Sequence, residues 1–135
     1  MSEAERPRIL IADDDPEIRR ILAAHLSTMH CDLTEAVDGE QALEKVITDK
    51  PDLVILDVMM PELNGWEICK YIKTNDDYQH TGVVMLTAIG ATVNELTSPI
   101  YGADEFIDKP FDFDELEFKI RKVLSEKKAA RQGRE

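Results

Sequence analysis

Residues 53–65 have the sequence LVILDVMMPELNG. The four consecutive apolar residues before Asp57 predict a strand that is buried on both faces, as in the middle of a parallel sheet. Pro61 and the Asn64-Gly65 pair interrupt regular structure soon after the strand. Asp57 is therefore expected where a buried strand opens into a loop, and ligands bind at such positions in open α/β sheets.

A second acidic segment follows another apolar run. Ile9–Ala12 leads directly into Asp13, Asp14 and Asp15. Turn chemistry alone favours helix capping as the role of an isolated aspartate. However, carboxylates that follow two neighbouring parallel strands would meet at one edge of the sheet and repel one another unless a cation neutralised them. An all-oxygen site of this kind suits Mg²⁺ or a similar hard ion, so the two segments together predict a metal site.

Along the rest of the chain, strand patterns alternate with helical patterns. Strands are expected at residues 8–12, 31–36, 53–57, 83–88 and 105–108. Helices are expected to start at residues 16, 39 and 65, to span residues 93–101, and to begin once more after Asp112 or Asp114. Apolar residues such as Ile21 and Ile47 are placed on the buried helix faces. This alternation predicts an α/β protein, a five-stranded parallel sheet with helices on both faces.

Length and composition fit one globular domain. The chain has 135 residues, of which 43% are hydrophobic and 33% charged, as in soluble domains. We expect a flexible N-terminus over residues 1–7, the domain over 8–125, and a polar, basic helix extension or linker over 126–135. Cys31 and Cys69 are expected to be buried free thiols because no CxxC motif or histidine cluster accompanies them.

Charge and hydropathy exclude some classes of function. The net charge is -12, and residues 117–135 have seven Lys/Arg against three Glu, so residues 1–116 carry a net charge of -16. An acidic body argues against direct binding of nucleic acid. No apolar run approaches the roughly 20 residues of a membrane span, and no signal-peptide core is present. A cytoplasmic protein with no membrane contact is expected.

Four predicted strands end in residues that carry chemistry: Asp13 and Asp14, Asp57, Thr87, and Lys109. Acids, a hydroxyl and an ammonium at one sheet edge suit Mg²⁺ and a phosphoryl group. A carboxylate there can act as a nucleophile and form an aspartyl phosphate, while the lysine supplies positive charge to the phosphate oxygens.

The chain resembles the receiver domain of response regulators, the phospho-accepting switch of two-component signalling. The resemblance covers about Arg8 to Ser125 and rests on ILIADDDPEIRR, LVILDVMMPELNGWE, VVMLTA and GADEFIDKPF. It implies a flavodoxin-like (βα)5 fold of the CheY type.

The resemblance also implies a role for each matching residue. Asp57 would be the phospho-acceptor. Lys109 would hold a phosphate oxygen, and its peptide bond to Pro110 would be cis. Mg²⁺ would be held by Asp14, Asp57 and the backbone carbonyl of Met59, with Asp13 acting mainly through water. The switch residues would be Thr87, Ala88 and Phe106.

The partners implied are a sensor histidine kinase or phosphotransfer protein and a downstream protein target. The target would dock on the face of the fourth helix, fifth strand and fifth helix of the family's fold, which also makes a phosphorylation-dependent homodimer possible. The domain would catalyse only its own phosphorylation and dephosphorylation. The resemblance implies that Met59 and Ile89 would lie beside the path of attacking water. Because neither side chain can orient water, a long-lived phosphorylated state is expected.

Other interpretations remain open at this stage. The chain could be the N-terminal receiver of a longer regulator with its own output domain. A haloacid-dehalogenase-type phosphatase also uses an aspartyl phosphate, but it requires a second aspartate at the position of Met59. A receiver without chemistry is disfavoured because every catalytic position is filled. A nucleotide-binding protein is disfavoured because no glycine-rich GxGxxG loop or P-loop follows any predicted strand.

Overall fold

The computed structural model describes residues 6–58, 60, 65–87, 103–109 and 111–133, with side chains described up to residue 130. Its described strands are β1 (Arg8–Ala12), β2 (Asp32–Ala36), β3 (Leu53–Asp57), β4 (Gly82–Thr87) and β5 (Glu105–Asp108). They form one sheet in the order β2-β1-β3-β4-β5, and every neighbouring pair is parallel. The predicted five-stranded parallel sheet is confirmed.

The described helices are α1 (Pro16–Leu26), α2 (Gly39–Asp49), α3 (Gly65–Thr74) and a C-terminal helix (Phe113–Gly133), with 3-10 turns at Ser27–Met29 and Asp76–Tyr78. Aspartates cap three of them because a short carboxylate side chain can accept the unpaired amides of a first turn. Asp15 accepts from Glu17 N, Asp38 from Gln41 N, and Asp112 from Asp114 N at 2.7 Å. The helix expected at residues 93–101 lies outside the described residues.

The sheet separates two hydrophobic cores. Side chains on one face, such as Val54 and Met85, pack with α2 and α3, while Ile55 and Leu86 on the other face pack with α1 and the C-terminal helix. All five residues of β3 are buried. This burial on both faces is the reason for the uninterrupted apolar run in the sequence. Within the described part of the chain, we find no helix with the length and apolarity to span a membrane.

Some local expectations were wrong in detail. Ile21 and Ile47 are 39% and 45% exposed, because a helix packed on a sheet buries only a narrow stripe and both residues lie at its margin. Strand β2 begins at Asp32, one residue later than expected. Cys31 and Cys69 are buried and free as expected, and burial raises the pKa of the Cys69 thiol to about 12.

The strand order determines where a site can form. The chain passes from β1 outward to β2 and then returns across β1 to β3. The connections after β1 and β3 therefore leave the sheet toward opposite faces, which opens a crevice at the carboxyl ends of these two strands. Asp13 and Asp57 are the residues at that crevice.

Candidate functional site

Three carboxylates converge at the carboxyl ends of β1 and β3. Asp13, Asp14 and Asp57 each offer an oxygen, and these oxygens lie within 4.8 Å of one another. Asp13 is fully buried and Asp57 is 6% exposed, whereas Asp14 faces solvent. The sequence placed these three residues together correctly, and the structure adds that two of them are buried.

Lys109 closes the cluster from the end of β5. Its Nζ lies 3.0 Å from Asp13 Oδ2 and 3.4 Å from Asp57 Oδ1. Burial lowers the pKa of Lys109, but the hydrogen bond to Asp13 and the charges of Asp57 and Asp13 outweigh burial, so the net pKa is raised. The ammonium therefore stays protonated at neutral pH. Three carboxylates face one ammonium, and this excess of acid attracts a hard divalent cation.

The backbone and side chain of Asp13 are held from several directions. Its N–H donates to the Ala36 carbonyl at 3.2 Å, and its carbonyl accepts from Arg19 Nη1 at 2.7 Å. Its Oδ1 accepts from Asp15 N at 2.9 Å, and its Oδ2 accepts from Lys109. A buried carboxylate needs such partners. Asp13 thus connects β1, β2, α1 and the end of β5.

Gly65 allows close packing behind Asp57. Its N–H donates to the Val58 carbonyl at 2.9 Å, and Val58 N in turn donates to the Leu86 carbonyl at 3.0 Å. A Cβ on Gly65 would collide with the Asp57 carbonyl oxygen and lie 3.0 Å from the Asp57 carbonyl carbon. Sequence reasoning treated the Asn64-Gly65 pair as a break after the strand and Gly65 as the start of a helix, without a packing role for the glycine. The structure shows that the first residue of α3 must lack a side chain for the Asp57 backbone to take this position.

Thr87 and Phe106 lie on the neighbouring strands. Thr87 ends β4, is 2% exposed, and its carbonyl accepts from Lys109 N at 2.7 Å. Phe106, in β5, is partly buried, and its ring centroid lies 5.8 Å from that of Trp66. The Phe106 carbonyl accepts from Lys119 Nζ of the C-terminal helix at 2.7 Å. The threonine is therefore at the same sheet edge as the carboxylates, and the aromatic residue packs beside α3.

Four of the predicted site residues lie outside the described residues: Met59, Ala88, Ile89 and Pro110. They carry the expected metal-binding carbonyl (Met59), the expected switch amide (Ala88), both residues beside the expected water path (Met59 and Ile89) and the expected cis bond after Lys109 (to Pro110).

Sequence reasoning missed Arg19 and Glu35. Arg19 Nε pairs with Glu35 Oε1 at 3.2 Å while Nη1 binds the Asp13 carbonyl. The only sequence signal was a basic residue four positions after the capping Asp15, where helical geometry turns it back toward the preceding strand end.

Comparisons with known proteins agree with this geometry. A family model described as "Response regulator receiver domain" matches residues 9–121. A "Probable transcriptional regulator ycf27" of Cyanophora paradoxa is 40% identical over 122 residues, which are 90% of this chain and 50% of that protein. The "DNA-binding dual master transcriptional regulator RpaA" of Synechocystis is 35% identical over 118 residues, 87% of this chain and 49% of that protein.

A solved structure gives the same result at the level of the fold. The structure of Vibrio cholerae chemotaxis protein CheY4 superposes with a TM-score of 0.80 at 28% identity, covering 87% of this chain and 98% of that one. The chain spans about half the length of the curated relatives that it matches.

Proposed function

The chain belongs to the family of response-regulator receiver domains of two-component systems, and from that premise we propose that Asp57 is the residue that accepts the phosphoryl group. One observation carries the proposal: Asp13, Asp14 and Asp57 converge at the crevice between β1 and β3, where Lys109 pairs with Asp13 and Asp57. Asp57 ends a wholly buried strand, so its carboxylate is offered at the edge of the sheet by a rigid element.

Mg²⁺ is the metal that this donor set fits. All three side chains offer oxygen, which hard cations prefer, and the three carboxylates outnumber the single lysine. We place Asp13, Asp14 and Asp57 as its protein ligands, together with the backbone carbonyl of Met59. When bound, the ion would supply positive charge to phosphoryl oxygens.

Transfer from a phosphohistidine needs few groups. A carboxylate oxygen of Asp57 would attack phosphorus in line, the P–N bond of the donor would break, and the leaving imidazole nitrogen would keep the electron pair and take up a proton. Lys109 already touches Asp57, and its protonated Nζ would follow the charge onto a phosphoryl oxygen. We propose that the domain acts as a catalyst only on itself, in gaining and losing this group.

The switch would follow from the new charge. The Thr87 hydroxyl would bind the phosphoryl group, with the Ala88 amide nearby, and Phe106 would move inward after it. Phe106 is linked to the C-terminal helix through Lys119, and Phe118 of that helix is 67% exposed. These contacts support the face of β5, the C-terminal helix and the helix expected at residues 93–101 as the docking surface for a target or a second copy.

The partner upstream would be a sensor histidine kinase or a phosphotransfer protein in the cytoplasm. A second candidate function concerns the output. The relatives are named as transcriptional regulators and are about twice as long. We therefore propose that this receiver controls a DNA-binding segment rather than contacting DNA through its own acidic body. The full reading frame of the coding DNA tests this proposal, since a frame without such a segment would contradict it.

The phospho-acceptor is tested with acetyl phosphate and Mg²⁺. The wild-type protein is expected to gain one phosphoryl group, and Asp57→Asn to gain none, because the amide is not a nucleophile. Intact-protein mass spectrometry measures the gain. Asp108→Asn is the matched control, since it makes the same change at the carboxyl end of another strand of the same sheet, β5, and should label normally. Stoichiometric labelling of the Asp57→Asn protein would contradict the assignment.

We further propose that the phosphorylated state decays slowly. Apolar side chains at Met59 and Ile89 cannot hydrogen-bond to an attacking water and orient it. A double variant, Met59→Asn with Ile89→Glu, is expected to release phosphate faster than the wild type in a time course on purified protein. Equal rates in the two proteins would refute this role for the two side chains.

A further inference from the structure

Arg19 reaches back from the first turns of α1 to the end of β1. Its backbone N–H donates to the Asp15 carbonyl at 3.1 Å as part of the helix. Its side chain extends further back, where Nη1 donates to the Asp13 carbonyl at 2.7 Å and Nε pairs with Glu35 Oε1 at 3.2 Å. The Arg19 side chain is 15% exposed and that of Glu35 is 45% exposed. The guanidinium is therefore largely enclosed between α1 and β2.

The bonded carbonyl belongs to the peptide that joins Asp13 to Asp14. Because a peptide unit is planar, fixing its oxygen also fixes the direction in which the chain enters Asp14. The other polar groups of Asp13 are bound to Ala36, Asp15 and Lys109. Those bonds hold Asp13 without Arg19. Arg19 instead binds the oxygen of the peptide that leads into the solvent-facing Asp14.

The guanidinium group of an arginine is suited to hold the Asp13 carbonyl in a fixed direction. A planar guanidinium presents donors in different directions at once, so one side chain binds the Asp13 carbonyl and is itself oriented by Glu35. A lysine carries the same charge on a single flexible nitrogen and lacks this fixed geometry. Glu35 lies on β2, at the edge of the sheet, which anchors the guanidinium to a rigid element.

We propose that Arg19 is a positioning residue for Asp14 in the metal site, with Glu35 as its orienting partner; this rests on the proposed Mg²⁺ site. Carboxylates within 4.8 Å repel one another. Without the guanidinium, Asp14 would turn away from Asp13 and Asp57 in the metal-free protein. Each Mg²⁺ ion that binds would then have to turn the Asp14 carboxylate back toward the site, so the affinity for Mg²⁺ would fall.

Calorimetric titration with MgCl₂ tests the proposal. Arg19→Ala is expected to bind Mg²⁺ about tenfold more weakly than the wild type, within the range of one charge-assisted hydrogen bond. Arg19→Lys should stay nearly as weak because it keeps the charge and loses the fork, and Arg19→Gln should recover part of the affinity through one amide donor. Glu35→Gln should weaken binding by only about two- to threefold, since it retains a neutral acceptor.

Arg121→Ala is the matched control. Arg121 also pairs with a glutamate, Glu117 at 2.9 Å, but its side chain is 59% exposed and lies on the C-terminal helix. The control should bind Mg²⁺ as the wild type does. Urea unfolding of each variant shows whether it is folded. If Arg19→Ala fails to fold, Arg19→Lys and Glu35→Gln carry the test.

The rate of labelling by acetyl phosphate separates positioning from general damage. In Arg19→Ala, the Mg²⁺ concentration for half-maximal rate should rise about tenfold, in line with the affinity, while the rate at saturating Mg²⁺ stays within about twofold. Wild-type affinity in folded Arg19→Ala or Arg19→Lys, or a lower maximal rate with no change in half-saturation, would overturn the inference. A wild-type protein that binds no Mg²⁺ would overturn the proposed function as well, so the two failures are distinguishable.

Discussion

Two clusters of carboxylates and lysines lie at opposite ends of the sheet and have opposite balances of charge. The carboxyl-edge cluster contains Asp13, Asp14 and Asp57 with a single lysine, Lys109, which pairs with Asp13 and Asp57. The amino-edge cluster sets two lysines, Lys73 and Lys127, around Asp104, with Nζ to Oδ distances of 2.7 and 3.2 Å. The first cluster has acid in excess, and the second has base in excess.

The amino-edge cluster is also closed by backbone bonds. Asp104 Oδ2 accepts from Val83 N at 2.8 Å, and Lys73 Nζ donates to the Thr81 carbonyl at 3.0 Å. Burial lowers the pKa of Lys73, the hydrogen bond and charge of Asp104 oppose that effect, and the charge of Lys127 adds to the lowering. These bonds join the end of α3, the starts of β4 and β5, and the C-terminal helix.

The comparison separates a binding site from a structural junction made of the same residue types. Where donors match or exceed the carboxylate, the cluster stabilises the fold and has no need of an ion. Where carboxylates exceed donors, the fold tolerates repulsion that a bound cation relieves. Lys127 further shows that the C-terminal helix contacts the domain beyond Ser125, where the sequence becomes mostly polar and basic.

The largest expected effect is at the amino-edge cluster. Asp104→Ala removes the shared acceptor of two lysines and of Val83 N, and it should lower the free energy of unfolding by about 2–3 kcal/mol. Urea denaturation measures the change. Glu105→Ala is the matched control because the neighbouring Glu105 also contacts two lysines, at 2.9 and 3.9 Å, in a more exposed pair. It should cost less than about 1 kcal/mol. Equal losses would mean that Asp104 is an ordinary surface acid.

A smaller effect of opposite sign is expected at the carboxyl-edge cluster. Asp14→Asn relieves repulsion and should raise the free energy of unfolding in EDTA by about 0.5–1 kcal/mol. Mg²⁺ at about 100 times its Kd should stabilise the wild type by about 2.7 kcal/mol, and should stabilise the variant much less. Glu44→Gln removes the same charge from α2 and controls for net charge. An Asp14→Asn protein that is less stable than wild type in EDTA would break the comparison.

The smallest expected effect is at an exposed ion pair, which gives the lower limit of the comparison. The hydrogen bond from Arg121 lowers the pKa of Glu117, partial desolvation opposes it, and His25 lowers it further. A depressed folded-state pKa adds stability above the ordinary value of 4.5, and this stability is lost as pH falls through the folded-state value. The urea midpoint of the wild type should exceed that of Glu117→Gln slightly at pH 7, and the difference should shrink as pH falls below 4.5. A difference that grows in acid would reverse the assigned sign.

Local patterns in the sequence were sufficient for much of the fold. The apolar run before Asp57 predicted a buried central strand, and Asp15-Pro16 predicted the start of α1, because periodicity and caps depend on residues close together in the chain. Parallel strands share a carboxyl edge, so the sequence also predicted which acids would meet there. The choice between Asp112 and Asp114 as a cap needed the structure, which shows Asp112 accepting the amide of Asp114.

By itself, then, the sequence determined the parallel sheet and the edge at which Asp13, Asp14, Asp57 and Lys109 gather. Only the tertiary structure decided that Asp13 is buried while Asp14 faces solvent, that Arg19 binds the Asp13 carbonyl, and that Lys127 reaches Asp104. Asp13 and Lys109 are 96 positions apart. Contacts of that kind depend on the order of strands in the sheet and on the angle at which each helix packs, and neither is specified by the spacing of residues along one element.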